Sequence, residues 1–181
     1  MANQNLDRAL SPEYLAGLDS WPVEELRERR GECQRLEDAA SYLRRLVQVR
    51  LDIIALVTRN RVHDDATDPA ALERLVRELP GALAEESGSR TAGGRLVASG
   101  LGDDQERWAE ARVAAAGGGV SVDRTMELPL ADLERLRDQL DALEQQVSGE
   151  RRRLHDVLDR LQKELVQRYK TGSASVEGLL R

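Results

Sequence analysis

Between Pro22 and Asn60, and again between Pro129 and Tyr169, no proline interrupts a run in which apolar residues return every three or four positions. The first seam is Leu36, Ala40, Leu43, Val47, Leu51 and Ile54. The second is Leu133, Leu136, Leu140, Leu143, Val147, Leu154, Leu158, Leu161 and Leu165. Steps of three and four residues keep such positions on one face of an α-helix. A helix of roughly 39 residues, at ~1.5 Å each, is about 58 Å long. In a small protein a rod of that length is normally half of a coiled coil. The expected fold is all-α: a long antiparallel two-helix coiled coil with short helices and flexible segments in its connection.

Beside each seam runs a polar row. Glu37, Ser41, Arg44, Gln48 and Asp52 have the spacing E-x3-S-x2-R-x3-Q-x3-D. At ~100° per residue the five share a stripe about 80° wide. One such row is ordinary helix surface. Here it occurs twice, because Glu144, Ser148, Arg151, His155 and Asp159 keep the same spacing 107 positions later. Pro22/Pro129, Leu26/Leu133, Arg30/Arg137 and Leu36/Leu143 fall at that offset too. Repetition of this kind implies two copies of one structural unit. Two helices with matching seams and rows are expected to face each other and form a joint site. Antiparallel pairing would place a pseudo-two-fold axis near Arg44 and Arg151, a surface suited to a two-fold-symmetric ligand.

The rest of the chain falls around these rods. Residues 1–20 are a polar tail with a short helix, capped by Ser11 and Pro12 and stopped by Gly17. Ser20 is the expected N-cap of helix 1, over 21–60, with Glu24 and Glu25 at the positive end of its dipole. The connecting region, 61–128, is partly helical and partly flexible. His63-Asp64-Asp65 opens it, ALERLVREL follows Asp68-Pro69 as a helix to Pro80-Gly81, and SGSRTAGG is flexible by composition. A helix from Asp104 to Ala116 precedes Gly117-Gly118-Gly119, which lacks the flanking pattern of a phosphate loop. Helix 2 occupies 129–170, and 171–181 is a tail. Gly149 and Glu150 break the rules of helix 2 inside the repeated row, where exceptions point to function.

Composition excludes several function classes. With 3% aromatic residues and no Phe, a thick globular core is not expected. Cys33 is the one cysteine, so the chain has neither an internal disulfide nor a Cys-rich zinc site. No apolar run approaches a membrane span and no signal peptide opens the sequence, so the expected location is cytoplasmic. A net charge of -6 argues against direct, nonspecific nucleic-acid binding. No nucleophile–base pair or metal triad points to an enzyme, and His63-Asp64-Asp65 reads as a solvated turn.

Each row therefore offers binding chemistry: two carboxylates, a hydroxyl, an arginine, and an amide or imidazole. A carboxylate accepts from paired N–H donors such as those on the Watson–Crick edge of guanine. Arginine donates bidentately to guanine O6/N7 or to phosphate, and stacks on bases. Arg45, Arg50, Arg152, Arg153 and Arg160 add local positive charge. A symmetric guanine dinucleotide satisfies all of these groups.

The doubled row resembles the signature of the RsiG anti-sigma factors of sporulating actinobacteria. That resemblance covers both rods and implies an antiparallel coiled coil that binds a dimer of cyclic di-GMP. The ligand-bound form then holds a WhiG-like sporulation sigma factor and represses its regulon. By motif match it assigns ligand binding to Glu37, Ser41, Arg44, Gln48 and Asp52, and to Glu144, Ser148, Arg151, His155 and Asp159. No cofactor beyond this regulatory ligand is implied. His155 departs from the glutamine expected there, and an imidazole brings different geometry and a charge that changes near neutral pH. The alternative is a structural coiled-coil adaptor without a ligand, which leaves the recurrence of five polar types at five spacings unexplained.

Overall fold

The computed structural model describes residues 2–62 and 101–171, and among these every regular element is helical. In chain order they are α1 (Ala2–Ala9), two 3-10 turns (Pro12–Leu15 and Leu18–Ser20), α2 (Val23–Val62), α3 (Asp103–Ala116), α4 (Val122–Thr125) and α5 (Leu130–Lys170). The helices α2 and α5 are 40 and 41 residues long. Both have acids in the first turn (Glu24 and Glu25; Asp132) and bases in the last (Arg59 and Arg61; Arg168 and Lys170), complementing the helix dipole. None of the described helices is long and apolar enough to cross a membrane.

The chain divides into two compact units, one of 1–41 with 147–181 and one of 42–146. In the first, Leu26, Cys33 and Ala40 of α2 and Val147, Leu154 and Leu161 of α5 are fully buried. The N-terminal elements belong to the same core. Residues expected as a polar tail instead form α1, whose Leu6 and Ala9 are buried and whose Arg8 pairs with Glu32 of α2. The Tyr14 hydroxyl donates to Glu32 Oε2 at 3.1 Å and accepts from Cys33 Sγ at 3.5 Å. Arg29 lies 3.9 Å from the Trp21 ring and 5.2 Å from that of Tyr14, a cation–π sandwich that closes this corner. Close by, Arg27 Nε donates to the Tyr169 hydroxyl at 3.2 Å, and Arg168 donates to the Asp19 carbonyl at 2.6 Å.

The short helix expected after Ser11 is present as 3-10 turns, with Gly17 between them at φ 75°. That left-handed conformation is cheap only for glycine. Ser20 does not cap α2. It ends the second turn, its hydroxyl donating back to the Gly17 carbonyl at 2.7 Å, and α2 starts three residues later.

In the second unit, Leu43, Val47, Ile54, Leu133 and Leu140 are the largest fully buried side chains. Ile53, Val57, and Ala109 and Val113 of α3 are buried as well. Tyr42 lies beside Glu106 and Glu110 of α3. Burial pushes its hydroxyl pKa up, and the two carboxylates push it further. Arg50 donates to the Val120 carbonyl at 2.8 Å, and Arg61 reaches the carbonyls of Met126 and Leu128 just before α5. After Ser121 the chain makes the single turn α4. His63-Asp64-Asp65, the ALERLVREL helix, SGSRTAGG and the tail from 172 lie outside the described residues.

Gly149 sits within α5, and a Cβ built there meets nothing within 4 Å. A glycine in a helix interior costs about 1 kcal/mol relative to alanine. Gly149→Ala is therefore expected to raise stability by about that amount, measured as a rise of a few degrees in the thermal midpoint followed by circular dichroism. A lowered midpoint would reveal a packing constraint that the open surface at Gly149 does not contain.

Candidate functional site

The repeated rows place a glutamate seven residues before an arginine on each long helix. Position on the shoulder of the seam leaves these side chains half-covered rather than free in water. In the first unit Glu37 of α2 is 7% exposed, and its Oε1 is the centre of a cluster. It accepts from Ser41 Oγ at 2.7 Å, one turn along α2. From α5 it accepts from Arg151 Nε at 3.1 Å and Nη2 at 2.9 Å. His155 Nε2, one further turn along α5, stands 3.4 Å from the same oxygen.

Burial pushes the Glu37 carboxyl up. The Ser41 hydroxyl, the Arg151 guanidinium and the His155 imidazole oppose it, and together they hold the group below its ordinary value. The negative form is thus the one the cluster is built around.

The second unit carries the reciprocal pair. Arg44 Nε of α2 donates to Glu144 Oε1 of α5 at 2.9 Å. Its members are more open, at 36% and 23% side-chain exposure against 25% and 10% for Arg151 and Glu37. In both units the glutamate of one row meets the arginine of the other.

Of the ten row residues, the structure brings Glu37, Ser41, Arg151 and His155 together in one unit, and Arg44 and Glu144 together in the other. Gln48 and Ser148 are half-buried, while Asp52 and Asp159 are exposed. Neither aspartate is drawn into a cluster. Glu150, the polar interruption of the second seam, is buried at 6% exposure, so a carboxylate occupies what the spacing marks as a core position. Among the described residues no group of three or more His, Cys, Asp or Glu could hold a metal ion. The sequence reading missed the cross-row pairing itself. Its signal was the constant seven-residue gap between Glu and Arg in both rows.

Residues 12–83 match the RsiG family model, described as RsiG-like, and this supports an RsiG-type identification over that stretch. The matched segment contains the first row, Glu37 to Asp52, and ends before the second. No curated protein matches the chain.

The Glu37 cluster makes stability depend on pH in a definite direction. A carboxyl held below its ordinary value of 4.5 is ionised in the fold at pH values where the unfolded chain already binds a proton. Its contribution is complete above that value and is lost as pH falls through the lower folded value. Glu37→Gln should cost about 1–3 kcal/mol at neutral pH, because Arg151 loses its charged partner. Melting both proteins from about pH 6 to about pH 3 checks this, and the gap between them should narrow in acid. A gap independent of pH would mean that Glu37 acts through packing, not charge.

Proposed function

We propose that this protein is a cyclic di-GMP-responsive anti-sigma factor, holding a WhiG-like sporulation sigma factor when ligand is bound. The observation that carries the reading is the reciprocal Glu–Arg pairing of the two repeated rows. Guanine carries a guanidine unit in its ring: N1–H and the N2 amino group present parallel donors, as arginine does. A carboxylate that accepts two guanidinium N–H bonds from Arg151, as Glu37 does, has chemistry suited to that edge. Exchange of arginine for guanine would release the arginine toward O6/N7 or a phosphate. The ten row residues, Glu37, Ser41, Arg44, Gln48 and Asp52 with Glu144, Ser148, Arg151, His155 and Asp159, are the proposed ligand-binding set.

The RsiG-like match supports the anti-sigma role and a sigma-factor partner. An antiparallel coiled coil is supported by the order of contacts within each unit. In one, Arg27 meets Tyr169 and Glu37 meets Arg151; in the other, Arg44 meets Glu144 and Arg61 reaches Leu128. Ligand would fix the register of the long helices and so favour the sigma-binding conformation, a shift of population.

Titration calorimetry with cyclic di-GMP, cyclic di-AMP and GTP tests the ligand. Cyclic di-GMP should bind at about two molecules per chain, the stoichiometry that the family resemblance implies. Cyclic di-AMP should bind poorly, because adenine lacks the N1–H and N2 donor pair. Equal affinity for the two would remove the guanine argument, and no binding would leave the ligand-free adaptor. Arg44→Ala and Arg151→Ala should each weaken cyclic di-GMP binding more than tenfold, the effect of losing a charge-assisted contact worth about 2–5 kcal/mol. Half the stoichiometry at full affinity would instead show that the two rows act separately.

Partner capture is a separate measurement. Pull-down of the sporulation sigma factor should strengthen when cyclic di-GMP is added, and transcription from its promoters should fall. Capture indifferent to the nucleotide would keep the anti-sigma role and reject ligand gating.

A further inference from the structure

The two halves of the doubled row differ at one chemically telling position. Where the first row has Gln48, an amide of fixed charge, the second has His155. His155 Nε2 stands 3.4 Å from Glu37 Oε1, the oxygen that already accepts from Ser41 and twice from Arg151. A carboxylate offers about four acceptor sites over two oxygens. Three donors and an imidazole crowd one oxygen of Glu37. Any ligand that presents two parallel N–H groups to both oxygens must displace part of that crowd. How tightly Oε1 is held therefore governs how readily the carboxylate is released.

We propose that His155 is a positioning residue for Glu37, and that protonation of its imidazole clamps the carboxylate and weakens capture of cyclic di-GMP. This rests on the ligand reading above. An imidazolium adds a full positive charge and an obligatory N–H donor beside Oε1, whereas the neutral ring can turn its lone pair that way. Other charged groups also lie near it. On α5, Arg151 and Arg152 lie one turn before it, Asp156 beside it and Asp159 one turn after. On α2, Arg30 lies on the Glu37 stripe two turns earlier, with neutral Gln34 between them. Arg30, Asp159 and His155 itself are exposed, so Glu37 is the buried charge that the imidazole meets most directly. Because the cluster holds Glu37 below its ordinary value, this carboxylate stays ionised across the range in which an imidazole titrates. In the Arg44–Glu144 pair the equivalent row position, Gln48, has no such proton to gain.

Two measurements on the full chain test the proposal, one without ligand. Following the Glu37 side-chain carboxyl by carbon NMR, His155→Gln should move its titration to higher pH, since a positive neighbour has been removed. An unmoved Glu37 titration overturns the positioning role whatever the ligand does. Calorimetry with cyclic di-GMP at about pH 7.5 and about pH 5.5 reads the consequence. Wild-type affinity should fall roughly two- to fivefold at the lower pH, the worth of a half-exposed ionic contact, and that ratio should flatten in His155→Gln. The same pH ratio in both proteins overturns the clamp. Tighter binding at the lower pH in wild type alone also overturns it, and assigns His155 to the phosphates. Failure of the wild type to bind at either pH overturns the functional reading, and the NMR titration still decides whether His155 positions Glu37.

Discussion

A helix with one large aliphatic residue on the same face of every turn cannot leave that face in water. This is the constraint on which the remaining features depend. Fully burying a leucine contributes about 1.5–3 kcal/mol, and Leu26, Leu43, Leu133, Leu140, Leu154 and Leu161 are each exposed by 1% or less. Covering the seams fixes where everything else on the two long helices can go. Residues one position beyond the seam fall on its shoulder, where water is partly excluded and a charge needs a partner. Glu37 and Arg151 find one another there, as do Arg44 and Glu144. The polar rows are thus a consequence of the seams, placed by helical geometry and then paired by the cost of leaving a half-buried charge alone.

The long helices were legible in the sequence because their signal is long and periodic, and such signals survive local exceptions. Gly31 and Gly149 both lie in helix interiors without ending them. What surrounds the rods was less legible. The polar composition of residues 2–9 reads as a tail, yet Leu6 and Ala9 suffice to dock a helix once a surface exists to receive them. A helix that short has no stability of its own, so sequence alone could not reveal it. Nor did the repeat announce its own breach. At the shared offset Tyr42, Leu46, Ile53 and Val57 correspond to Gly149, Arg153, Arg160 and Glu164. The first helix carries a second apolar face, and Ile53 and Val57 are buried in the unit that also buries Ala109 and Val113 of α3. On the second helix that face is charged. The signal was present in the dense run LVQVRLDIIALV, which holds more aliphatic residues than a single seam uses.

For the site, residue identities could be read from the sequence, but the state of those residues could not. Spacing alone put ten polar side chains on two stripes. It also contained their pairing, since Glu and Arg are seven apart in both rows. Any antiparallel register that brings Glu37 to Arg151 brings Arg44 to Glu144 by arithmetic. The inequality of the two pairs needed coordinates. Glu37 is itself buried and gathers Ser41, Arg151 and the exposed His155, while Arg44 and Glu144 meet in a more open setting. Burial depends on what covers each shoulder, and row spacing carries no information about that.

The pairing also bears on how a ligand could enter a site whose charges are already satisfied. A buried carboxylate without a partner is costly, so a vacant pocket lined with free glutamates would be an expensive thing to maintain. The arginines remove that cost by supplying the donors themselves. On the proposed reading they act as stand-ins: a guanidinium and the donor edge of guanine both supply paired N–H groups to a carboxylate, Arg151 directing two onto Glu37 Oε1 and Arg44 giving one to Glu144. The displaced arginine keeps its charge and requires a new acceptor. A phosphodiester brought by the same ligand provides one. Both partners of each exchange then end with their hydrogen bonds made, and net binding comes from what the exchange adds: stacking of bases and shielding of the phosphates from water. That economy is available to guanine and not to adenine, whose Watson–Crick edge alternates donor and acceptor and would leave a carboxylate oxygen facing a ring nitrogen lone pair.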